Sequence, residues 1–281
     1  MKKKIIVPVD FSATSQNAYL YARELAKHYG AGIEVLHVYM GTFSPDESGT
    51  RPSKTTKASL QEQLDDFVSL YPSSRDSNVL TDVEVSTKII QGFTVKSIVD
   101  LSIDESTSMI VMGSTGKSEI VDRIIGRISS EVAQQAFCPV LMVPKGAKFF
   151  SYKNILYASN YESADEFMLE QILNFNKTFS ATLHFIHVST KSKSKRFDIT
   201  EEQIFDTLFK EGEPIFSFNL ALEKAGSVMK GLFKYAKKNK IDLIVLVNRQ
   251  RGFVESALGQ SMTKKMALRS QTPLLIYHIP E

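Results

Sequence analysis

Ile5-Ile6-Val7-Pro8-Val9-Asp10, near the start of the chain, has a counterpart in Ile155-Leu156-Tyr157-Ala158-Ser159-Asn160. The same offset of 150 sets Leu36-His37-Val38 against Ile186-His187-Val188. Further on the offset becomes 134, pairing Gly92 with Gly226, Met109-Ile110-Val111-Met112 with Leu243-Ile244-Val245-Leu246, and Pro139-Val140-Leu141 with Pro273-Leu274-Leu275. The fall from 150 to 134 reads as a deletion of 16 residues between the second and third strands of the second copy. Two copies of one unit are therefore expected, residues 1–147 and 148–281, and the length of 281 residues suits two domains of ~150.

Within the first copy, the apolar run 5–9 is too short for a helix and rich in β-branched residues, which predicts a strand buried on both faces of a parallel sheet. Ala18, Leu20, Tyr21, Leu25 and Ala26 then recur at helical spacing, with Gly30 and Gly32 as stop signals. Strands follow at 33–38, 83–90, 109–112 and 139–143, with helical patterns at 60–70, 95–101 and about 118–137 between them. Residues 41–59, rich in Ser, Thr, Gly and Pro, read as a loop. Strands alternating with helices predict an α/β fold: two tandem copies of a five-stranded, parallel, doubly wound sandwich of Rossmann-like type.

Composition narrows the function classes. With 43% hydrophobic and 23% charged residues the chain is a globular one, not a disordered one. Thirty-four Lys and Arg against 31 Asp and Glu leave a formal charge of +3, far from the basic surface that phosphate-backbone binding needs, so nucleic acid is not an expected partner. Cys138 is the only cysteine, which excludes an intrachain disulfide or a cysteine-based metal centre and suits a reducing compartment. Lys2-Lys3-Lys4 precedes an apolar run broken by Pro8 and stopped by Asp10, unlike a signal peptide, and no segment reaches the ~18 apolar residues of a membrane span. The expectation is a cytoplasmic protein with no membrane partner.

Ligands of open α/β sheets collect at the carboxyl ends of strands, where the strand order reverses. Two such ends stand out. At Pro8-Val9-Asp10-Phe11-Ser12, Asp10 or Ser12 would serve as a helix cap, or as a ligand contact. Gly113-Ser114-Thr115-Gly116, directly after the fourth strand and followed by Gly126, would let consecutive amides face an anion, with hydroxyls from Ser114, Thr115 and Ser129 and a helix amino end near Gly126. The plainer alternative is a tight turn followed by a helix break. Gly116-Lys117-Ser118 is no Walker A loop, because Val111 occupies the place of its first glycine, and the dinucleotide fingerprint is absent after the first strand. Gly-x-Ser-x-Gly and His-Glu-x-x-His are absent as well.

Together, Val7-Pro8-Val9-Asp10-Phe11-Ser12, Leu36-His37-Val38, and Gly113-x-x-Gly116 followed after nine residues by Gly126 and then by Cys138-Pro139-Val140, resemble the universal stress protein family in its tandem form. The resemblance covers nearly the whole chain, more weakly in the second copy. It implies ATP or another adenine nucleotide in the first copy, with Mg2+ accompanying the phosphates. Its cofactor-binding positions here are Pro8, Val9, Asp10, Ser12, Val38, Gly113, Ser114, Gly116, Gly126, Arg127, Ile128 and Ser129. It also implies pairing through the fifth strand, within the chain or in a homodimer. Since Val140–Val143 and the segment 274–277 are matching apolar strands, the two copies are expected to pair with each other.

One position departs from the pattern. Arg127 stands where the ATP-binding branch has Ser or Thr, and either contacts phosphate through its guanidinium or pairs with a carboxylate such as Asp122 and closes the site. The second copy departs further: Val247, Gln250 and Gln260 replace Gly113, Gly116 and Gly126, and Asn160 replaces Asp10, although Ser261 restores a hydroxyl. That pocket reads as degenerate. His37 and His187 suit packing with one hydrogen bond, Cys138 a buried apolar role, and Lys191, Lys193, Lys195 and Arg196 a solvated loop. The expected function is a nucleotide-binding stress-response or signalling module with no evident catalytic group. The alternative is an interaction module of the same fold that has lost the nucleotide. An adenylating enzyme would need Ser-Gly-Gly-x-Asp-Ser after the first strand, which Asp10-Phe11-Ser12-Ala13-Thr14-Ser15 does not match.

Overall fold

The computed structural model describes residues 3–40, 57–70, 83–114, 127–159, 164–190, 216–249, 265–267 and 269–279. They fall into two units, Met1–Lys148 and Phe149–Glu281. In unit 1 the chain runs β1 (Lys4–Pro8), α1 (Ala13–Tyr29), β2 (Gly32–Tyr39), α2 (Lys57–Ser69), β3 (Val85–Gln91), α3 (Thr94–Leu101), β4 (Thr107–Gly113), α4 (Arg127–Gln135) and β5 (Val140–Val143). The strands lie in the order β3-β2-β1-β4-β5, and every pair is parallel. Helix α4 is described only from Arg127, and residues 118–126 of the helical pattern read from the sequence lie outside the described residues. The last three residues of the expected 41–59 loop instead open α2.

The core of unit 1 follows from the two apolar periods. Ile5, Ile6 and Val7 of β1, Val35 and Leu36 of β2, and Ile110 and Val111 of β4 are fully buried, as a central parallel strand covered on both faces requires. Ala18, Ala22 and Leu25 of α1 cover one part of the sheet, and Leu64, Ile98 and Val132 anchor α2, α3 and α4. Edge strand β3 alternates between covered and exposed positions. Helix α1 starts at the Ser12 cap and ends at Gly30, whose φ of 65° is a left-handed turn that glycine adopts without steric cost.

Unit 2 repeats the plan with β6 (Asn154–Ala158), α5 (Ala164–Asn176), β7 (Thr182–Ser189), β8 (Phe218–Lys224), α6 (Val228–Lys238), β9 (Leu243–Arg249) and β10 (Leu274–Ile279). Its strand order is β10-β9-β6-β7-β8, again all parallel. The amino ends of the two central strands are fastened differently. Lys4 Nζ donates to Glu34 Oε2 at 3.3 Å and lies 3.5 Å from Asp104 Oδ2. At the matching positions of unit 2, His184 Nε2 donates to Asn154 Oδ1 at 3.2 Å, and His184 Nδ1 accepts from the Tyr235 hydroxyl at 3.1 Å. An ion pair in one unit is thus a neutral hydrogen-bonded chain in the other. Burial pushes the pKa of His184 below its usual value, which fits an imidazole whose two nitrogens are both satisfied in the neutral form.

Among the described residues, no helix is long and apolar enough to cross a membrane.

Candidate functional site

Because β1 has β2 on one side and β4 on the other, the chain reverses its direction of winding between β1 and β4, and their carboxyl ends border the crevice where such sheets take ligands. Both strand ends read from the sequence lie there. The close approach of Gly113 to Thr14 joins them: a Cβ on Gly113 would stand 2.6 Å from Thr14 Cγ2 and 3.0 Å from the Thr14 carbonyl oxygen. Glycine at 113 is thus required by the first turn of α1 pressing on the end of β4.

The turn after β1 is built by short polar side chains. Val9 donates its amide to Leu36 O at 2.8 Å, prolonging the β1–β2 ladder beyond Pro8. Ser12 then donates its amide to Asp10 Oδ1 at 3.1 Å, closing a local turn. The Ser12 hydroxyl accepts from the Ser15 amide at 3.1 Å and so caps α1, an interaction worth ~1 kcal/mol. The Ser15 hydroxyl in turn donates to Ser12 O at 3.0 Å and accepts from the Asp10 amide at 3.4 Å. Partial burial pushes the Asp10 pKa up, but hydrogen bonds from the Ser12 and Ser15 side chains and from the amides of Ser12 and Asp10 outweigh it and hold the pKa below the usual carboxylate value. Asp10 remains exposed and ionised at neutral pH.

Phe11, inside this turn, has a φ of 59°, a left-handed conformation that costs a non-glycine residue ~1–2 kcal/mol. Its ring packs on His37 with centroids 4.6 Å apart and meets Phe67 of α2 edge-on at 5.8 Å. His37 donates from Nδ1 to Val9 O at 2.8 Å. His187 makes the matching bond to Ser159 O at 3.2 Å. Both histidines therefore tie the second strand of their unit to the residue that follows the first. Sequence reading saw the histidine pair but not the Phe11–His37–Phe67 cluster, since Phe67 is separated from Phe11 by a helix, a strand and residues 41–56.

At the end of β4, Ser114 is buried and its amide donates to Val143 O at 2.9 Å. That amide belongs to the sheet and is not available to an anion. Arg127 opens α4 with 70% of its side chain exposed, and its Nε donates to Glu131 Oε1 at 2.7 Å, one turn along the same helix. The bond it donates to Glu131, and that residue's charge, raise the arginine's pKa further, so the guanidinium stays charged. Its carboxylate partner among the described residues is Glu131; Asp122 lies outside them. Ile128 is 46% exposed beside it, whereas Ser129 is buried. Val38, near the end of β2, is half-buried opposite Ile90 of β3. Pro8 and Val9 are buried. Thr115, Gly116 and Gly126 lie outside the described residues.

In unit 2, Val247 is half-buried in β9 opposite Tyr277, while Asn160, Gln250, Gln260, Ser261 and the basic cluster 191–196 lie outside the described residues. Cys138 is buried, and burial pushes its thiol up to about 12, so it stays protonated at neutral pH and is a poor nucleophile. Among the described residues, no group of three or more His, Cys, Asp or Glu side chains is placed to hold a metal ion.

The chain's likeness to known proteins agrees with this geometry. The profile of the Universal stress protein family matches residues 1–144. A universal stress protein of Methanocaldococcus jannaschii is 30% identical over 152 residues, which is 52% of this chain and 84% of the relative. One from Bacillus subtilis is 26% identical over 147 residues, 51% of this chain and 99% of that protein. Over the whole length, the crystal structure of a universal stress protein from Archaeoglobus fulgidus superposes with a TM-score of 0.65 at 20% identity, covering 98% of both chains. A functionally unknown protein from Pseudomonas aeruginosa follows at 0.63 and 14%, covering 99% of this chain and 92% of that one, and shares the fold. Since the family profile spans the strand ends that form the crevice and the 30% identical relative is matched over 84% of its own length, this protein belongs to the universal stress protein family.

Proposed function

We propose that unit 1 binds ATP or another adenine nucleotide at the carboxyl ends of β1, β2 and β4, and that the protein acts in the cytoplasm as a nucleotide-binding stress-response or signalling module. The observation that carries this reading is the exposed, ionised Asp10 turn lying beside the end of β4 at the sheet's reversal point. Asp10 suits the nucleoside, as a hydrogen-bond acceptor. The segment from Gly113 to Gly126 and the amino end of α4 suit the phosphates, with Arg127 as their charged contact. Arg127 is free to do so because the guanidinium keeps donors beyond the Nε–H given to Glu131. Mg2+ would ride on the phosphates, as that ion commonly does when few carboxylates are to hand.

In this reading unit 2, with Val247, Gln250 and Gln260 in place of glycines, binds no nucleotide and serves as a partner surface. Pairing through the fifth strand, within the chain or in a homodimer, is the assembly that the family resemblance implies. A second reading has one observation in its favour: the Ser114 amide, the Ser12 hydroxyl and one Arg127 donor are all engaged within the protein, as an interaction module without nucleotide would have them. Mass spectrometry of small molecules released from the purified, denatured protein separates the two. The nucleotide reading expects an adenine nucleotide near one per chain, and its absence together with no binding of added ATP would favour the interaction module.

A further inference from the structure

The Asp10 turn combines two features that hydrogen bonding within it does not explain. Its middle residue is a bulky aromatic at positive φ, and that ring lies against two elements distant in sequence. Both supports are themselves fixed. His37 is held by its bond to Val9 O at 2.8 Å, and Phe67 is backed by Tyr19 of α1 at 5.8 Å between centroids. We infer that Phe11 is a positioning residue of the site: its ring, packed on His37 of β2 and Phe67 of α2, holds the Asp10–Ser12 turn in its left-handed form and so sets where the Asp10 carboxylate meets a ligand.

The physical chain is short. A non-glycine residue relaxes out of the left-handed region unless its surroundings hold it there. Among the described residues, the rings that pack on Phe11 are those of His37 and Phe67. Relaxation would swing the Ser12 amide away from Asp10 Oδ1, its partner at 3.1 Å, and disturb the Ser15 bonds beside it. The donors that hold Asp10 ionised are the Ser12 and Ser15 side chains and the amides of Ser12 and Asp10, with no cation among them. The carboxylate therefore reports directly on the turn. The ligand half of the inference rests on the nucleotide reading above and adds that Phe11 acts on the nucleoside part of the ligand and not on its phosphates.

The test is a carboxyl NMR titration of Asp10 in the full chain without ligand, for the wild type, Phe11→Ala, Phe67→Ala and Phe11→Tyr, followed by ATP and adenosine affinities for each. Removing either ring is expected to raise the Asp10 pKa toward the ordinary carboxylate value, and Phe11→Tyr, which keeps the ring, to leave it low. ATP and adenosine should each lose ~tenfold in affinity in Phe11→Ala, with their ratio unchanged. Phe67→Ala serves if Phe11→Ala fails to fold. Folded Phe11→Ala or Phe67→Ala with Asp10 as acidic as in the wild type would overturn the inference, as would a loss confined to ATP. A shifted Asp10 in a protein whose wild type binds neither compound would support the positioning role and remove the nucleotide reading instead.

Discussion

Replacing Gly113 by alanine tests the contact that brings the two halves of the site together. The new Cβ would sit 2.6 Å from Thr14 Cγ2, 3.0 Å from Thr14 O and 3.2 Å from its carbonyl carbon. Turning the threonine side chain relieves only the first of these, because the other two atoms are backbone in the first turn of α1. Forced overpacking of this kind costs ~1–3 kcal/mol, from which the reduced entropy of the unfolded chain returns ~0.4–1 kcal/mol. A net loss of ~1–2 kcal/mol in a unit of this size corresponds to a fall of ~2–8 °C in its unfolding temperature. Differential scanning calorimetry of the full chain reads this, and Thr14→Ala in the same chain should restore only part of the loss. An unchanged transition in Gly113→Ala, or complete rescue by Thr14→Ala, would refute the argument that backbone crowding fixes glycine at this position.

Three further outcomes follow from the described side chains. His184 has a folded-state pKa below its ordinary value, so the unfolded chain binds the proton more readily; its contribution to stability is fully present above the ordinary value of about 6.5 and is lost as pH falls through the interval down to the folded pKa. Urea unfolding at pH 7.5 and pH 5 should show this loss for unit 2, and His184→Gln should flatten it. Cys138, with its thiol pushed up to about 12, should react with a thiol reagent only after denaturation, and rapid reaction in the native protein would contradict its burial. Arg127→Ala, which removes an exposed pair with Glu131, should leave the unfolding temperature unchanged while weakening ATP ~tenfold and adenosine hardly at all; tighter ATP binding in Arg127→Ser would show that the guanidinium obstructs the site.

Strand and helix identities were legible because each carries its own period. Ile5, Ile6 and Val7 are buried on both faces as their unbroken apolar run predicts, and the alternate exposure along Val85–Gln91 marks an edge. The strand ends that border the crevice were legible in the sequence, but the bonds made there were less so. Ser12 could be identified as a cap from its place before α1. Gly113 invited the thought of a ligand approaching bare backbone, whereas the nearest atoms to its missing side chain belong to Thr14. That constraint depends on how closely α1 crosses the end of β4, a distance no local sequence pattern encodes. Arg127 pairs with Glu131, four residues along the helix, a spacing that ordinary helical geometry supplies, while Asp122, the carboxylate named from the sequence, lies outside the described residues. The Phe11 cluster was invisible because it joins residues from three elements through ring contacts alone.

The most direct test of nucleotide binding by unit 1 is isothermal titration of the full chain with ATP, alongside Gly116→Val. One site per chain in the wild type and none in the variant is the predicted result, since a β-branched side chain would stand where phosphate is to meet backbone. Two sites of similar affinity, or undiminished binding by Gly116→Val, would contradict it.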